Sequence, residues 1–277
     1  MIVTARTDRL LQLGLVLDPR DDRDRLRVLA GLCGRAGLDA VFLREGSLWP
    51  TPARVDVWSA VEAVAPEAQR AALGLILDAR RHSAPDVVAR MAELARVRPQ
   101  GVELALVGAD DVYLATVRGK RVAAVSVVVG TPDDLDRAVR LADGVLVRED
   151  GVAHARAQGT RAGRTAETFS VSLELPVSIG RTSTEARARV DADPLFFTDH
   201  IGHREALGLF GTLEECQRRI VPLAEAGLSR LLCIVPSTPD VHDVIAQLTA
   251  LPVGRLGHAP SSAPPSPPKD WGGRPRR

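Results

Sequence analysis

The sequence lacks the features typical of secreted, membrane-bound and nucleic-acid-binding proteins. Its three cysteines, Cys33, Cys216 and Cys233, are far apart and show no CxxC spacing, so we expect buried free thiols rather than disulfides or zinc ligands. The N-terminus has no basic region followed by a long apolar run, and nowhere do 18 apolar residues follow one another. The 36 lysines and arginines nearly balance the 35 aspartates and glutamates, which leaves no net field to attract phosphate backbones or anionic lipid. We predict a soluble, cytoplasmic protein that binds neither nucleic acid nor membrane.

A dinucleotide-binding fingerprint and a metal-ligand pattern are also missing. The first apolar run ends at Leu17 and continues with DPR, not with the glycine-rich turn GxGxxG. His200 and His203 are three positions apart with a glycine between them, which fits a loop before a helix better than a zinc site. We therefore predict no bound metal.

Short apolar runs alternate with longer amphipathic segments along most of the chain, as in strands covered by crossover helices. Eight runs that can be parallel strands begin near residues 11, 40, 72, 102, 122, 144, 169 and 231. Helices are predicted at 22–36, 55–65, 84–97, 132–142, 152–166, 183–192, 212–226 and 241–251. Eight such units in 277 residues favour a closed (β/α)8 TIM barrel, which typically needs about 250 residues. An open doubly wound sheet is the main alternative.

The alternation breaks after the fourth predicted strand. The stretch GADDVYLATVRGKRVAAVSVVV contains β-type runs with no room for a crossover helix, and Gly119-Lys120 is predicted to be a hairpin turn. The barrel is therefore expected to lack one helix there. The barrel domain is assigned to residues 1–253. The remaining residues, 254–277, are rich in proline, serine and glycine and predict a disordered tail.

Functional residues of such a barrel lie just after the carboxyl ends of the strands. Arginine and histidine at that rim can hold an anionic or carbonyl-bearing ligand. Any barrel rim is polar, however, so each residue taken singly is more simply explained as solvated surface. Chain order alone identifies no Ser-His-Asp or Cys-His set. The predicted strand exits carry Asp18; Arg44 and Glu45; Asp78, Arg80, Arg81 and His82; Gly108, Asp110 and Asp111; Gly130 and Thr131; Arg148, Glu149 and Asp150; Arg181; and Pro236, Ser237 and Thr238.

The turn Gly130-Thr131-Pro132 has two interpretations. Thr131 can cap the helix that begins at Pro132, with two aspartates in the first turn that complement the helix dipole. Free N–H groups beside a glycine also suit a phosphate, which the two aspartates would oppose unless they point away. The same pattern recurs at Thr212 and Glu215, a predicted capping box, and this repetition favours capping as the common reason.

Six segments, in chain order, carry a family resemblance. They are LGLVLD, LCGRAGLDAVFLRE, LGLILDARRHSAPDVVARMAEL, QGVELALVGA, VVVGTPDDLDRAVRLADGVLV and LGLFGTLEECQRRIVPLAEAGLSRLLCIVP, spanning about residues 11–251. Together they resemble the luciferase-like flavin-dependent oxidoreductases, the family of bacterial luciferase, alkanesulfonate monooxygenases and deazaflavin-dependent reductases. The resemblance implies a barrel that binds FMN or a deazaflavin coenzyme at its C-terminal rim.

The resemblance also implies site residues. Gly130 and Thr131 match the turn that contacts the flavin phosphate. Leu77 and Asp78 match the bulged end of the third strand beneath the isoalloxazine, and Gly108 belongs to what remains of the glycine-rich exit of the fourth strand. The catalytic candidates are His82 and Arg81, for contact with flavin or substrate, and Glu45, for proton transfer.

Two departures from the family pattern keep alternatives open. Arg44-Glu45-Gly46 stands where the family usually has an acidic residue followed by histidine. In the family, a helix and an insertion normally follow the fourth strand, close over the flavin and help to form dimers. Neither is recognisable in this sequence. The leading hypothesis is a monooxygenase that uses reduced FMN and oxygen on a small organic substrate. A flavin reductase as partner and a homo- or heterodimer stay open. The alternatives are a non-catalytic or partner-subunit member of the fold and a deazaflavin-dependent reductase.

Overall fold

In the computed structural model, parallel strands form a barrel inside a layer of helices. The structure describes residues 11–18, 22–45, 56–98, 100–193 and 208–251, so the predicted tail and the pair His200 and His203 lie outside the described residues. The strands within these ranges are β1 (Gln12–Leu17), β2 (Ala40–Arg44), β3 (Ala72–Asp78), β4 (Val102–Val107), β5 (Ala124–Val128), β6 (Gly144–Val147), β7 (Ser170–Ile179), β8 (Leu209–Gly211) and β9 (Arg230–Ile234). The α-helices are α1 (Arg23–Ala36), α2 (Val57–Val64), α3 (Ala84–Val97), α4 (Asp111–Gly119), α5 (Pro132–Leu141), α6 (Val152–Arg161), α7 (Ser183–Ala192), α8 (Leu213–Glu225) and α9 (Val241–Thr249).

The ring of strands is closed. Strands β1 to β6 pair in chain order, β6 pairs with β7, β7 with β9, and β9 with β1, all in parallel. The short strand β8 pairs only with the carboxyl end of β7 and lies outside the ring. This confirms the (β/α)8 barrel and excludes the open sheet, whereas β8 was not predicted.

The prediction that a crossover helix is absent after the fourth strand is wrong. Helix α4 follows β4, and Asp110 caps it by accepting a hydrogen bond of 2.7 Å from the backbone N–H of Tyr113. Gly119 is the last residue of this helix, so Gly119-Lys120 is not a hairpin turn. The β-branched residues suggested a strand, but Leu114 and Val117 face the core three positions apart, which is helical spacing.

Alternation along the strands separates two apolar cores. Leu13, Leu15 and Leu75 represent the outer core between the barrel and the helices, where the side chains are large. The barrel interior is filled by Val16, Ala40, Phe42, Ala72, Ile76, Ala105, Leu146 and Leu232. Gly74 makes room for the ring of Phe42, because a Cβ at Gly74 would lie 2.3 Å from Cε1 of that ring. The interior is therefore a packed core and not a channel.

Arginine side chains hold the loops at the amino-terminal end of the barrel. The guanidinium of Arg98, which is 3% exposed, donates to the carbonyl oxygens of Ala65 and Ala71, each at 2.6 Å, and to that of Ala68. These carbonyls belong to the connection between α2 and β3. Arg156 and Arg164 hold other carbonyls of this end in the same way. These side chains stabilise the face opposite the expected active site.

The cysteine prediction is confirmed. Cys33, Cys216 and Cys233 are buried free thiols. Burial raises the pKa of Cys33 to about 12 and that of Cys216 to about 11, so both thiols stay protonated and unreactive near neutral pH. Within the described ranges, no helix combines the length and apolar composition needed to cross a bilayer.

Candidate functional site

Glu45, directly after β2, and His82, in the loop after β3, meet at the carboxyl end of the barrel. Nε2 of His82 lies 2.8 Å from Oε1 of Glu45, and Oε2 of Glu45 accepts a 3.0 Å hydrogen bond from the backbone N–H of Asp78. The side chains of Glu45 and His82 are 9% and 21% exposed. In the neutral tautomer that donates from Nε2 to the Glu45 carboxylate, Nδ1 keeps its lone pair. The pair is thus an oriented base with a carboxylate behind it.

An aromatic side chain packs against His82. Trp58 on α2 meets the imidazole of His82 edge to face, with ring centroids 6.3 Å apart and an interplanar angle of 89°. Trp58 has a second contact, because the guanidinium carbon of Arg90 lies 4.9 Å from the centroid of its ring. Trp58 is itself buried. The imidazole of His82 therefore lies against a buried aromatic ring.

Asp78 organises the arginines beside the pair. Oδ1 of Asp78 accepts from the backbone N–H and from Nε of Arg80 at 3.1 and 2.8 Å, and Oδ2 accepts from Nη2 at 2.8 Å. The side-chain hydrogen bond from Arg80 holds the pKa of Asp78 below its ordinary value. Arg81 is half exposed, with Nε 3.8 Å from Oδ2 of Asp78. Gly108, whose φ of 66° favours glycine, lies against Arg80, since a Cβ there would be 3.4 Å from Nε.

The end of β3 differs from the family feature implied by the resemblance. Its ladder with β4 continues without interruption from Leu73 to Asp78, so this edge has no bulge. The side chain of Leu77 is fully buried in the outer core and does not face the barrel mouth. Contact of Leu77, Asp78 and Gly108 with a cofactor stays a prediction.

The floor of the barrel mouth is apolar, with one charged pair. Val107, Val128 and Ile234 are partly exposed and lie on the interior core. Arg44, the last residue of β2, forms an ion pair through Nη1 with Oε2 of Glu174 on β7, and the two side chains are 20% and 10% exposed. A flat aromatic ring suits such a floor, because ligand sites are mostly apolar with a few placed polar groups.

The turn before α5 is occupied by a carboxylate of its own helix. Oδ2 of Asp134 accepts hydrogen bonds from the backbone N–H groups of Gly130 and Thr131 at 3.1 and 2.9 Å, and from Oγ1 of Thr131 at 2.9 Å. Thr131 in turn accepts from the N–H of Asp134 at 3.3 Å, which confirms the cap. Burial opposes the ionisation of Asp134, but these hydrogen bonds outweigh it and lower its pKa. The donors expected to bind a phosphate are therefore engaged.

Two further helix N-termini at this rim are occupied in the same way. Oε2 of Glu185 accepts from the backbone N–H of Arg181 at 2.9 Å, before α7. Oε2 of Glu215 accepts from the N–H of Thr212 at 2.8 Å and from the hydroxyl of Ser183 at 2.6 Å, which confirms the capping box at α8. Thr131 and Thr212 thus share one structural role, as their repeated pattern indicated.

Two further predicted rim residues, Asp111 and Glu149, form ion pairs with arginines. Asp111 accepts from Arg137 and Arg140 at 2.9 and 3.2 Å, and Oε2 of Glu149 lies 2.7 Å from Nη2 of Arg219. A separate cavity of about 420 Å³ lies among α7, β8 and α8, where arginines and acidic residues balance in charge. Its lining consists of Arg187, Val190, Asp191, Gly208, Leu209, Phe210, Glu215, Cys216 and Arg219 and includes neither member of the His82–Glu45 pair.

Sequence reasoning missed three members of the site. Glu174 lies within a strand and not after one, so the rule of strand exits passed over it. Its signal is a lone acidic residue at an inward position of the alternating run SVSLELPV. Trp58 lies on a helix, and Asp134 was considered as an opponent of phosphate and not as the occupant of the turn.

Comparisons with known proteins identify the fold. No family model and no curated protein sequence matches the chain. Among solved structures, it matches an F420-dependent secondary alcohol dehydrogenase in complex with an F420-acetone adduct, with a TM-score of 0.70 and 14% identity over 88% of this chain and 99% of that one. It also matches the coenzyme F420 dependent tetrahydromethanopterin reductase from Methanopyrus kandleri, with a TM-score of 0.68 and 13% identity over 86% and 97%.

A third match is an FMN complex. The oxygenating constituent of 3,6-diketocamphane monooxygenase from Pseudomonas putida gives a TM-score of 0.67 and 12% identity over 86% of this chain and 97% of that one. At such identities the likeness establishes a common fold, the (β/α)8 barrel that this chain shares with these FMN- and F420-binding proteins.

Proposed function

We propose that the chain is an oxidoreductase with a flavin-type cofactor, and more narrowly a monooxygenase that uses reduced FMN and oxygen on a small organic substrate. The observation that carries the proposal is the pair of His82 and Glu45, an oriented and largely buried base at the carboxyl rim of this fold. Its structural neighbours include a monooxygenase in complex with FMN and two F420-dependent enzymes.

The barrel mouth fits the two ends of an FMN molecule unequally. Val107, Val128 and Ile234 offer an apolar floor to the ring system. The turn at Gly130 and Thr131 does not fit a phosphate as it stands, because Asp134 takes its donors. A phosphate can bind there only if that carboxylate turns away. The cofactor, when bound, supplies the two-electron chemistry, while the protein orients the substrate and excludes water.

The protein's own contribution is proton transfer and shielding. His82 accepts a proton at Nδ1, and Glu45 stabilises the imidazolium that results because its carboxylate is 2.8 Å from Nε2. The hydrogen bond from the N–H of Asp78 keeps Glu45 in this orientation. Trp58 packs against the imidazole, and the half-exposed Arg81 adds positive charge to the same loop.

A titration tests the proposal. The purified chain is mixed with FMN or with a deazaflavin coenzyme, and binding is followed by absorbance and by fluorescence quenching. With FMN, NADH and a flavin reductase, peroxide formation without substrate is compared with that of the same mixture without the chain, because free reduced FMN also gives peroxide with oxygen. Only the difference reports oxygen chemistry on the bound cofactor. Tight binding of FMN with peroxide formation supports the monooxygenase, and preference for the deazaflavin supports the reductase alternative. No binding of either at micromolar concentration contradicts the proposal.

One observation favours a second candidate, a barrel of this fold that binds a ligand or a partner subunit without catalysis. The carboxylates of Asp134, Glu185 and Glu215 occupy the helix N-termini at the rim, where a phosphorylated cofactor would find its donors. The same titration distinguishes the candidates, because the second predicts no cofactor binding and no change in peroxide formation when the chain is added.

A further inference from the structure

The buried ion pair at the barrel mouth has one unused acceptor. Glu174 meets Arg44 through Oε2, while its other oxygen, Oε1, is buried and has no hydrogen-bond partner. Its side chain is nine-tenths buried. A buried polar atom without a partner is costly, and such atoms in folded proteins call for a functional or structural reason.

A second ion pair inside the same barrel shows that the unused acceptor is not a general property of this interior. Arg230 contacts Glu103 through Nη1, and its Nε donates to Oε1 of Gln12 at 3.0 Å. Its guanidinium carbon also lies 5.9 Å from the centroid of the Phe42 ring. No side-chain atom of this pair is buried without a partner. The exposed fractions, 12% and 20%, are similar to those of the Arg44–Glu174 pair. The two pairs therefore form a matched comparison.

The position and charge of the pair define the ligand chemistry. Alternation places Glu174 inside the barrel, because Leu173 and Leu175 on either side of it belong to the outer core. Arg44 ends β2 immediately before Glu45 of the proposed base. The charge of Glu174 is already balanced by Arg44, so its free oxygen suits a neutral N–H or O–H donor better than an ammonium group. An anionic group would be repelled.

We propose that Glu174 is a specificity-determining acceptor for a neutral hydrogen-bond donor on the molecule that occupies the barrel mouth. The inference rests on the proposed function for the choice of probe. Riboflavin is that probe, since it carries an imide N–H and hydroxyl groups and has no phosphate, so the turn held by Asp134 does not influence its binding.

Two glutamine variants, one in each ion pair, separate ligand binding from structural support. Glu174→Gln keeps the size and the contact with Arg44, but presents a donor in place of the free acceptor. Glu103→Gln makes the same change in the satisfied pair. Loss of a hydrogen bond to a charged group predicts that riboflavin binds E174Q about tenfold more weakly than wild type, while E103Q binds it as wild type does. Equal affinities of E174Q and wild type would overturn the proposal.

A stability measurement tests, without a ligand, whether the unpartnered oxygen of Glu174 lowers the stability of the protein. Replacement of a buried ion pair by apolar residues is often stabilising, so R44M/E174M is expected to melt on the order of 5 °C above wild type. R230M/E103M, which removes a pair without an unpartnered atom, is expected to gain less than R44M/E174M. If the wild type binds neither riboflavin, FMN nor deazaflavin, the proposed function fails. A rise in melting temperature that is larger for R44M/E174M than for R230M/E103M then still supports an acceptor that is kept at a cost in stability, and an equal or smaller rise refutes it.

Discussion

Nε2 of His82 lies 2.8 Å from Oε1 of Glu45, although the two residues are 37 positions apart in the chain. They meet because β2 and β3 are parallel neighbours, so the residues that follow them leave the sheet at the same edge. The hydrogen bond from the N–H of Asp78 to Glu45 orients the carboxylate from the same strand end. The relationship makes His82 the first residue to test.

Replacement of His82 by asparagine is expected to lower turnover by about 10² to 10⁴, the usual contribution of a general base. Cofactor affinity should change little, because the role lies in proton transfer. Steady-state kinetics and a cofactor titration on one preparation measure both quantities. His154→Asn on the exposed face of α6 is the matched control and should leave turnover unchanged. Equal turnover of H82N and wild type would remove His82 from the chemistry.

Removal of the Asp134 carboxylate should free the donors at Gly130 and Thr131. In Asp134→Ala, the affinity for FMN is expected to rise relative to that for riboflavin, because only FMN carries a phosphate to occupy the vacated N–H groups. Calorimetric titration with both ligands gives the ratio of dissociation constants. An unchanged ratio would mean that the turn serves only as a helix cap. Asp136→Asn is the control for the loss of one negative charge and should bind both ligands as wild type does.

Asp134 should also make stability depend on pH. Its folded-state pKa is lower than the ordinary value, so its stabilising effect is present above the unfolded pKa of about 3.9 and is lost as the pH falls through the folded pKa. Urea unfolding of wild type and Asp134→Asn between neutral pH and acid should show a smaller loss of stability in the variant. The exposed Asp136→Asn should follow wild type, and parallel curves for all three would refute the assignment.

Arg98→Met should be strongly destabilising. The methionine keeps the apolar stem, but leaves the carbonyls of Ala65, Ala68 and Ala71 without their buried donor. We expect the free energy of unfolding to fall by about 3 kcal/mol or more. Arg96→Met, an exposed position in the last turn of α3 just before Arg98, should change it by less than about 0.5 kcal/mol. Similar losses in the two variants, measured by urea denaturation, would contradict this account.

Gly74→Ala tests the packing of the barrel interior. The added methyl group would lie 2.3 Å from the ring of Phe42, so the ring must move inside a filled core. Overpacking of this kind costs about 1–3 kcal/mol. Gly119→Ala, which meets no atom within 4 Å, should leave stability unchanged or raise it by up to about 1 kcal/mol. Thermal melts of both variants measure the difference. A wild-type melting temperature for G74A would show that the barrel interior has room for the added methyl group and is not tightly packed.

The predicted elements agree with the structure wherever local signals coincide. Helix α3 occupies the predicted range, since Ser83 caps it, proline stands in its first turn and the apolar residues repeat at helical spacing. The caps at Thr131 and Thr212 were likewise readable from a few adjacent residues. Helix α4 was missed because its β-branched residues conflict with its cap, and packing against α3 and α5 resolves such a conflict.

The candidate site was only partly predictable. The rule of strand exits identified Glu45 and His82 but not their contact, because a distance across two strands depends on register. It also passed over Glu174 on β7, whose partner Arg44 lies on β2. The occupant of the turn at Thr131 depended on the direction of one side chain, which spacing does not define.

The sequence by itself determined the alternation of strands and helices, the polar rim, the buried thiols and the helix caps, because these follow from periodicity and from contacts between residues a few positions apart. Only the tertiary structure decided that His82 rests on Glu45, that Asp134 occupies the turn at Thr131 and that one oxygen of Glu174 has no partner. Closure of the ring brings distant residues together in a water-poor interior, where the surrounding atoms and not the order of the chain determine which polar groups find partners.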